Sequence, residues 1–252
     1  RVKTDRRDSL KLADLLSCGR LRGIKIPSLR QEEARLLHRT REQLIRERTI
    51  FLNRIKMRLH QFGIESPGRI SVVKLDDILS LPNLSLEVRY CLTKYIAHWK
   101  SLNGDIKEID NMMLKRGRSD ELYKIYNSIP GYGPLTSTMV SLELGDMSQF
   151  CNEDSLFSYL GLTPTEHSSG NKEMKGHISR QGSARLRGIL VEAAWAAMRT
   201  DEYWKREYHK RAYRMGSQKA IVSIARRLIG VARSMAKTRS FYQKKEVLKL
   251  AA

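Results

Sequence analysis

Ser128-Ile129-Pro130-Gly131-Tyr132-Gly133 sets two glycines around an aromatic residue, between two segments whose apolar spacing is helical. Such a hexapeptide is either a helix-hairpin-helix turn or an ordinary tight link between packed helices, because Gly and Pro punctuate both. In the first case Gly131 and Gly133 relieve Cβ clashes and bare the N–H groups that open the next helix, Pro134 to Glu143, an arrangement suited to a phosphate oxygen of a DNA backbone. Charge favours that case. Lys and Arg number 47 against 27 Asp and Glu, a net charge of +20, which implies a polyanionic partner. Between Lys172 and Arg239 there are 17 basic and 5 acidic residues, interleaved with Trp195, Tyr203, Trp204, Tyr208 and Tyr213, which fits nucleic acid better than a membrane surface. Trp195 lies in an apolar run and reads as core, whereas the tyrosines and Trp204 alternate with charges and read equally as base-stacking or as packed residues.

Outward from the turn, shorter helices separated by Gly, Pro and Asn are expected at Asp120–Asn127, Pro134–Glu143, Asn152–Tyr159, Ser183–Arg199, Glu202–Met215 and Ser217–Lys237. Upstream, Leu29 to Phe62 runs without an internal Gly or Pro and carries apolar residues among alternating charges, and Leu84 to Leu114 is of similar length with only Gly104 as a breaker. Gly63 to Gly68 breaks the first, so these predict two long helices joined by an irregular loop, as an antiparallel coiled-coil hairpin or a dimerising stalk. A first helix is expected over Thr4–Ser17, ended by Cys18-Gly19. The fold class expected is therefore mainly α, divided as residues 1–27, a long helical region over 28–116, and a compact α-helical domain over 117–252. Gly161 to Gly182, with Pro164 and a cluster of polar residues, predicts a long loop, and loops of that length inside a compact domain are commonly functional.

No run is apolar enough to span a bilayer and no signal-peptide pattern opens the chain, so a soluble, intracellular protein is expected. Cys18, Cys91 and Cys151 are too few and too scattered for a disulfide framework or a zinc site. Asp5 and Asp8 stand three apart at a helix start and so share a face, where they can offer oxygen ligands to a divalent ion; the helix dipole alone also favours acids there, and two carboxylates are few for a metal-dependent nuclease centre. In the polar loop, Ser169-Gly170 is flanked by His167, His177, Lys172, Lys175 and Arg180. A serine so placed can act as a nucleophile toward a phosphodiester, with a histidine taking its proton and the cations holding the phosphate. On spacing alone the stretch ending Ser179-Arg180-Gln181-Gly182 reads more simply as a turn and N-cap feeding the helix at Ser183.

Taken in order, these motifs resemble the DEDD-type insertion-sequence transposases of the IS-one-ten family. Lys3-Thr4-Asp5 with Asp8 and Leu12-Ala13 looks like the last pair of acids of a four-carboxylate motif and its helix. Ile129-Pro130-Gly131-Tyr132-Gly133, Phe150, Leu160-Gly161-Leu162-Thr163-Pro164, Ser169-Gly170, Ile178-Ser179-Arg180-Gln181-Gly182, Leu186-Arg187 and Ala193-Ala194 resemble the signature of the family's C-terminal domain. The resemblance implies a RuvC-like N-terminal α/β domain of which residues 1–27 are the remnant, then a coiled coil, then the transposase domain. It implies Mg²⁺ bound by Asp5 and Asp8, and Ser169 as the catalytic residue that forms a phosphoserine link to DNA. DNA contacts are expected from Gly131, Gly133, Lys172, Lys175, Arg180 and Arg187. It further implies a homo-oligomer, dimer or tetramer, in which one subunit's acids work with another's serine, a structured guide RNA as partner, and a nucleoid-associated place in the cytoplasm of a bacterial or archaeal cell. Because the chain opens just before the third acid, half of the metal site is expected to be absent and the polypeptide to be a truncated transposase. The competing expectation is a non-catalytic helix-hairpin-helix protein that grips nucleic-acid backbones alone.

Overall fold

The computed structural model describes residues 4–21, 26–65, 72–82, 84–166 and 175–244. Over these the chain runs α1 (Asp5–Ser17), α2 (Leu29–Gln61), α3 (Val72–Leu79), α4 (Leu86–Arg118), α5 (Glu121–Asn127), α6 (Pro134–Leu144), α7 (Glu153–Leu160), β1 (Pro164–Glu166), β2 (Lys175–Ile178), α8 (Ala184–Thr200), α9 (Glu202–Met215) and α10 (Ser217–Thr238). The mainly α expectation holds, and most helix starts are fixed by a polar cap. Ser28 accepts from the Gln31 amide while the Gln31 side chain accepts from Ser28 N, and Asn152 and Ser155 repeat this capping box at α7.

Three expectations need correction. The link between the two long helices contains α3, whose eight residues were too few to show a period. The helix expected to stop at Leu114 continues to Arg118 through Gly117, the glycine at which the sequence is expected to pass from long to short helices. A Cβ on Gly117 would lie 2.5 Å from Thr138 Oγ1 of α6, so this glycine admits a close neighbour instead of ending the helix. The segment expected to be a loop carries the antiparallel pair β1 and β2, with Pro164 opposite Ile178, Glu166 opposite Lys175, and a bulge between them.

The hairpin helices α2 and α4 lie antiparallel: Arg41 pairs with Asp110, Arg48 donates to Asn103 at 2.9 Å, and Phe51 stacks on His98 at 5.2 Å. Along α2 the inward positions Ala34, His38, Arg41, Ile45, Arg48, Leu52, Ile55 and Leu59 recur at alternating spacings of four and three, and so do Leu92, Ile96, Trp99, Asn103, Ile106, Asp110, Met113 and Gly117 on α4. At the far end Ile55, Leu59, Leu92, Ile96 and Trp99 close with Leu75 and Ile78 of α3 into a small apolar core. A larger core, built around Tyr126, Leu160, Leu190, Trp204 and Leu228, gathers α5 through α10. α1 buries none of its residues and packs on no other element among the described residues.

Candidate functional site

The two strands form a stem whose tip, residues 167–174, lies outside the described residues; Ser169 and Lys172 fall there, as does His167. What the structure does describe is how the base of the stem is held. Gly161 ends α7 in a left-handed conformation, φ +64°, and crosses Gly182 at backbone contact: a Cβ on Gly182 would sit 2.5 Å from Gly161 N and 2.6 Å from Leu160 C. Arg187 of α8 clamps the crossing, its Nη1 donating to Leu160 O and Gly182 O, each at 2.9 Å. Ser179 N donates to Thr163 O at 2.7 Å, and Thr165 Oγ1 donates to His177 O at 3.0 Å. A short stem is thus closed across its two strands and held to the C-terminal core at its base, through Arg187, the Gly161–Gly182 crossing and Ile178 of β2.

Around it the expected DNA-contacting cations divide. Arg187 is half-buried and spends its inner guanidinium nitrogen on carbonyls, so its demonstrable work is to fix the stem. Arg180 is exposed and holds φ +55°, a left-handed backbone unusual for a residue with a Cβ. Lys175 begins β2 at the edge of the tip, and His177 is exposed two residues on.

Asp5 and Asp8 both occupy the first turn of α1, with Thr4 as its N-cap, and both reach solvent. They supply two carboxylates on one helical face, as their spacing requires. Among the described residues no group of three or more His, Cys, Asp or Glu is arranged to hold a metal ion, so Asp5 and Asp8 make no complete oxygen-ligand centre with the other described residues. Nor does α1 touch the elements that carry the strand pair.

In the turn that follows α5, the two glycines do different things. Gly131, φ +83°, lies against α8, where a Cβ would come within 2.6 Å of Ala197 N. Gly133 is exposed, meets nothing within 4 Å, and caps α6 without any side-chain hydrogen bond; Pro134 follows at the first helical position. α6 therefore starts at an exposed glycine with no side-chain cap on its first amides, Pro134 itself carrying no N–H. Tyr132 between them is buried with its hydroxyl unpartnered, and burial pushes its pKa far above the ordinary tyrosine value.

The aromatic residues that alternate with charge are mostly core: Trp204 and Tyr208 are buried, Trp195 packs on Tyr208 at 5.4 Å, and Tyr203 is held by Arg227. Only the last of them, Tyr213, stands clear of the protein.

Two family models of one group match the chain: one described as Transposase IS116/IS110/IS902 family over residues 123–210, and a DEDD-type transposase model of IS110 over residues 1–64. Together they take in more than half of the residues. The chain belongs to the IS110/IS116/IS902 transposase family. It is 28% identical over 204 residues to a transposase for insertion sequence element IS1111A of Coxiella burnetii, covering 78% of this chain and 55% of that protein. It is 31% identical over 174 residues to a transposase for IS1328 of Yersinia enterocolitica, covering 69% and 52% respectively. A putative transposase, y4pF/y4sB, of Sinorhizobium fredii is 29% identical over 218 residues, with 86% and 56% covered. The chain spans about half the length of the curated relatives it matches.

The joint between the hairpin and the C-terminal helices of this transposase-family chain was not visible in its sequence. His38 is fully buried, with Nδ1 3.3 Å from Glu143 Oε1 and Nε2 3.7 Å from Glu42 Oε1; Arg35 donates to Glu143 O at 2.8 Å and Leu142 O at 3.2 Å; Arg185 of α8 pairs with Glu42. Burial works to raise the Glu143 pKa, but the hydrogen bond and charge of His38, then Arg35 and Arg39, overcome it and hold the carboxyl below its usual range. A lone histidine in a charged helix gives no sign of this, because Glu143 lies about a hundred residues further along the chain. No helix among the described residues is long and apolar enough to cross a membrane.

Proposed function

We propose that this chain is the serine-bearing part of an insertion-sequence transposase, in which the β1–β2 stem presents Ser169 to a DNA phosphodiester. The supporting observation is the rigid footing of that stem: Gly161 against Gly182, with Arg187 clamped over both. A nucleophile gains from being carried on a fixed scaffold, since misplacement by an ångström costs orders of magnitude in rate. The Ser169 hydroxyl loses its proton to His167 or His177, its Oγ bonds to phosphorus, and the P–O bond to the leaving strand breaks, that oxygen taking up a proton. A free hydroxyl of the strand to be joined then attacks the phosphoserine and releases the serine. Lys172, Lys175 and Arg180 neutralise the phosphate. Asp5 and Asp8 would contribute to a divalent Mg²⁺ site with further carboxylates from outside the described residues, and the metal would stabilise charge on the phosphate.

In the same reading the α2–α4 pair is a coiled coil that serves assembly. Leu29, Leu36, Ile50 and Met57 line the outer side of α2 at multiples of seven residues, all exposed, a stripe fit to meet another helix. DNA is the substrate, a structured guide RNA a further partner, residues 1–27 the end of a RuvC-like domain, and 117–252 the transposase domain. The second reading, a binding protein alone, draws on the start of α6 after the exposed Gly133, which no side chain caps and where a backbone phosphate would suit the first amides.

Incubation of the chain, alone and within a full-length transposase, with labelled donor DNA and Mg²⁺, followed by a denaturing gel, separates the two. The enzyme reading expects a covalent protein–DNA band that vanishes in Ser169→Ala while affinity stays within about twofold. Tight binding without an adduct in the full-length protein would leave the binding reading in its place.

A further inference from the structure

Tyr213 is 94% exposed, which leaves its ring almost wholly in water. It sits in the last turn of α9, where residues 213–219 are all exposed as the chain reverses through Gly216, φ +82°, into α10. Nearby acids are either used inward or distant. Glu207 pairs with Arg211 and Arg227 beneath the surface, and Glu202 pairs with Lys205 at the other end of the helix. Lys210, one turn before Tyr213 on the same face, Arg214 beside it, and Lys219 across the turn pair with no carboxylate among the described residues. The result is a bare aromatic ring with three exposed cations within six residues of it, on the corner where α9 turns into α10.

We propose that this corner is a seat for an unpaired nucleobase, with Tyr213 stacking on its face and Lys210, Arg214 and Lys219 holding the phosphates on either side. The inference rests on the reading of the chain as a nucleic-acid-acting protein, though not on the serine chemistry. Every base has a π-face, so such a seat takes any sequence, and the strand must be single-stranded or locally opened, because a paired and stacked base offers no face. An anionic membrane is the poorer match: Met215 is the only sizeable apolar side chain beside Tyr213 between residues 213 and 219, too little to insert with the ring. Single-stranded DNA and RNA share the chemistry, and the test tells them apart.

Affinities of the wild-type chain and of Tyr213→Ala and Tyr213→Phe would be measured for a twelve-nucleotide oligo-dT, the matching oligo-U, an abasic strand of equal length and a DNA duplex, over a range of salt. The expected result is that Tyr213→Ala binds one or both base-bearing strands about tenfold more weakly. The same variant should bind the abasic strand and the duplex as the wild type does, and Tyr213→Phe should keep full affinity. The salt slope should be unchanged in Tyr213→Ala but flatter in Lys210→Ala and Arg214→Ala, by roughly 0.7 for each phosphate no longer neutralised. Weakening on oligo-U alone assigns the seat to RNA, and weakening on oligo-dT alone assigns it to DNA. Equal affinity of Tyr213→Ala for base-bearing strands, or an effect seen only on vesicles of phosphatidylcholine and phosphatidylserine, would overturn the proposal. The melting temperature serves as a folding control, since so exposed a ring contributes little to the core. Covalent adduct formation in Tyr213→Ala, whatever its strand affinity, keeps the serine reading separate.

Discussion

The hairpin and the C-terminal helices are both all-helical, but they are held in place by different means. In α2 and α4 the facing positions are uniformly apolar only toward the far end; nearer the joint Ala34, Ile45, Ile106 and Met113 are interspersed with Arg41 against Asp110 and Arg48 against Asn103, and His38 reaches Glu143 of α6. The C-terminal core is apolar at its centre, with polar pairs such as Arg227–Glu207 and Arg211–Ser223 between α9 and α10 at its edge, and closeness is set by glycines: Gly131 under α8, Gly182 on Gly161. Long parallel surfaces can slide by a heptad, so polar pairs at fixed heights choose the register, whereas short helices crossing at many angles have no register to choose and are located by shape.

The region that relies on shape should be the more sensitive to a single added methyl group. Gly182→Ala places a Cβ within 2.6 Å of Leu160 C and against other backbone atoms that cannot swing aside. The expected loss is about 3 kcal/mol, as for a strained overpacked site, read as a lowered midpoint in urea. An unchanged midpoint would mean the crossing is looser than the structure has it.

Next in size is the hairpin's register. Arg41→Ala should destabilise by about 2 kcal/mol because Asp110, mostly covered, loses its partner, while the double change Arg41→Leu with Asp110→Leu should recover most of that. The doubly apolar seam should also populate shifted or higher-order pairings, visible by sedimentation. If the double variant stays a single species, the polar pair does not choose the register.

How much of this could be read from the sequence follows from the same distinction. The long helices showed plainly, since 33 residues give apolar spacing time to declare itself and Leu29 to Phe62 has no internal Gly or Pro to interrupt it. The helices of the C-terminal region were bracketed well because Gly133, Asn152 and Gly216 interrupt them where the structure does. Gly117 misled, since a glycine that ends a helix and one that lets a neighbour approach are the same letter. The strands were hidden by their length, three and four residues. Of the candidate site, the location of the loop and the glycines at its base were legible, but the role of Arg187 was not: a cation beside a polar loop suggests phosphate, and only the fold shows its nitrogen turned onto two carbonyls. Likewise Trp204 and Tyr208 alternate with charges yet face inward, because α9 has one buried side and the charges occupy the other.

The joint where the two regions meet should respond to acid. Glu143 has its folded pKa held below the unfolded one, so its contribution is fully present above the ordinary value of 4.5 and is lost as pH falls through the lower folded value. Melting curves taken between about pH 6 and pH 3 should therefore steepen in their decline below about 4.5, and Glu143→Gln should remove that part of the slope while costing stability at neutral pH. A variant whose acid limb matches the wild type would put the sensitivity elsewhere.

The smallest effect has the opposite sign and lies within one helix. Gly104 and Gly117 are both in α4, but a Cβ on Gly104 would meet nothing within 4 Å, whereas on Gly117 it would strike Thr138. Thr138 is buried and its hydroxyl already donates to Pro134 O at 2.9 Å, so it cannot give way cheaply. Gly104→Ala should thus stabilise the chain by about 0.5–1 kcal/mol through the backbone freedom it removes from the unfolded state, and Gly117→Ala should destabilise it. Same residue, same helix and same substitution then differ only in whether the hairpin is in water or has reached the domain, and denaturant midpoints of the two variants on either side of the wild type would mark that boundary between Gly104 and Gly117.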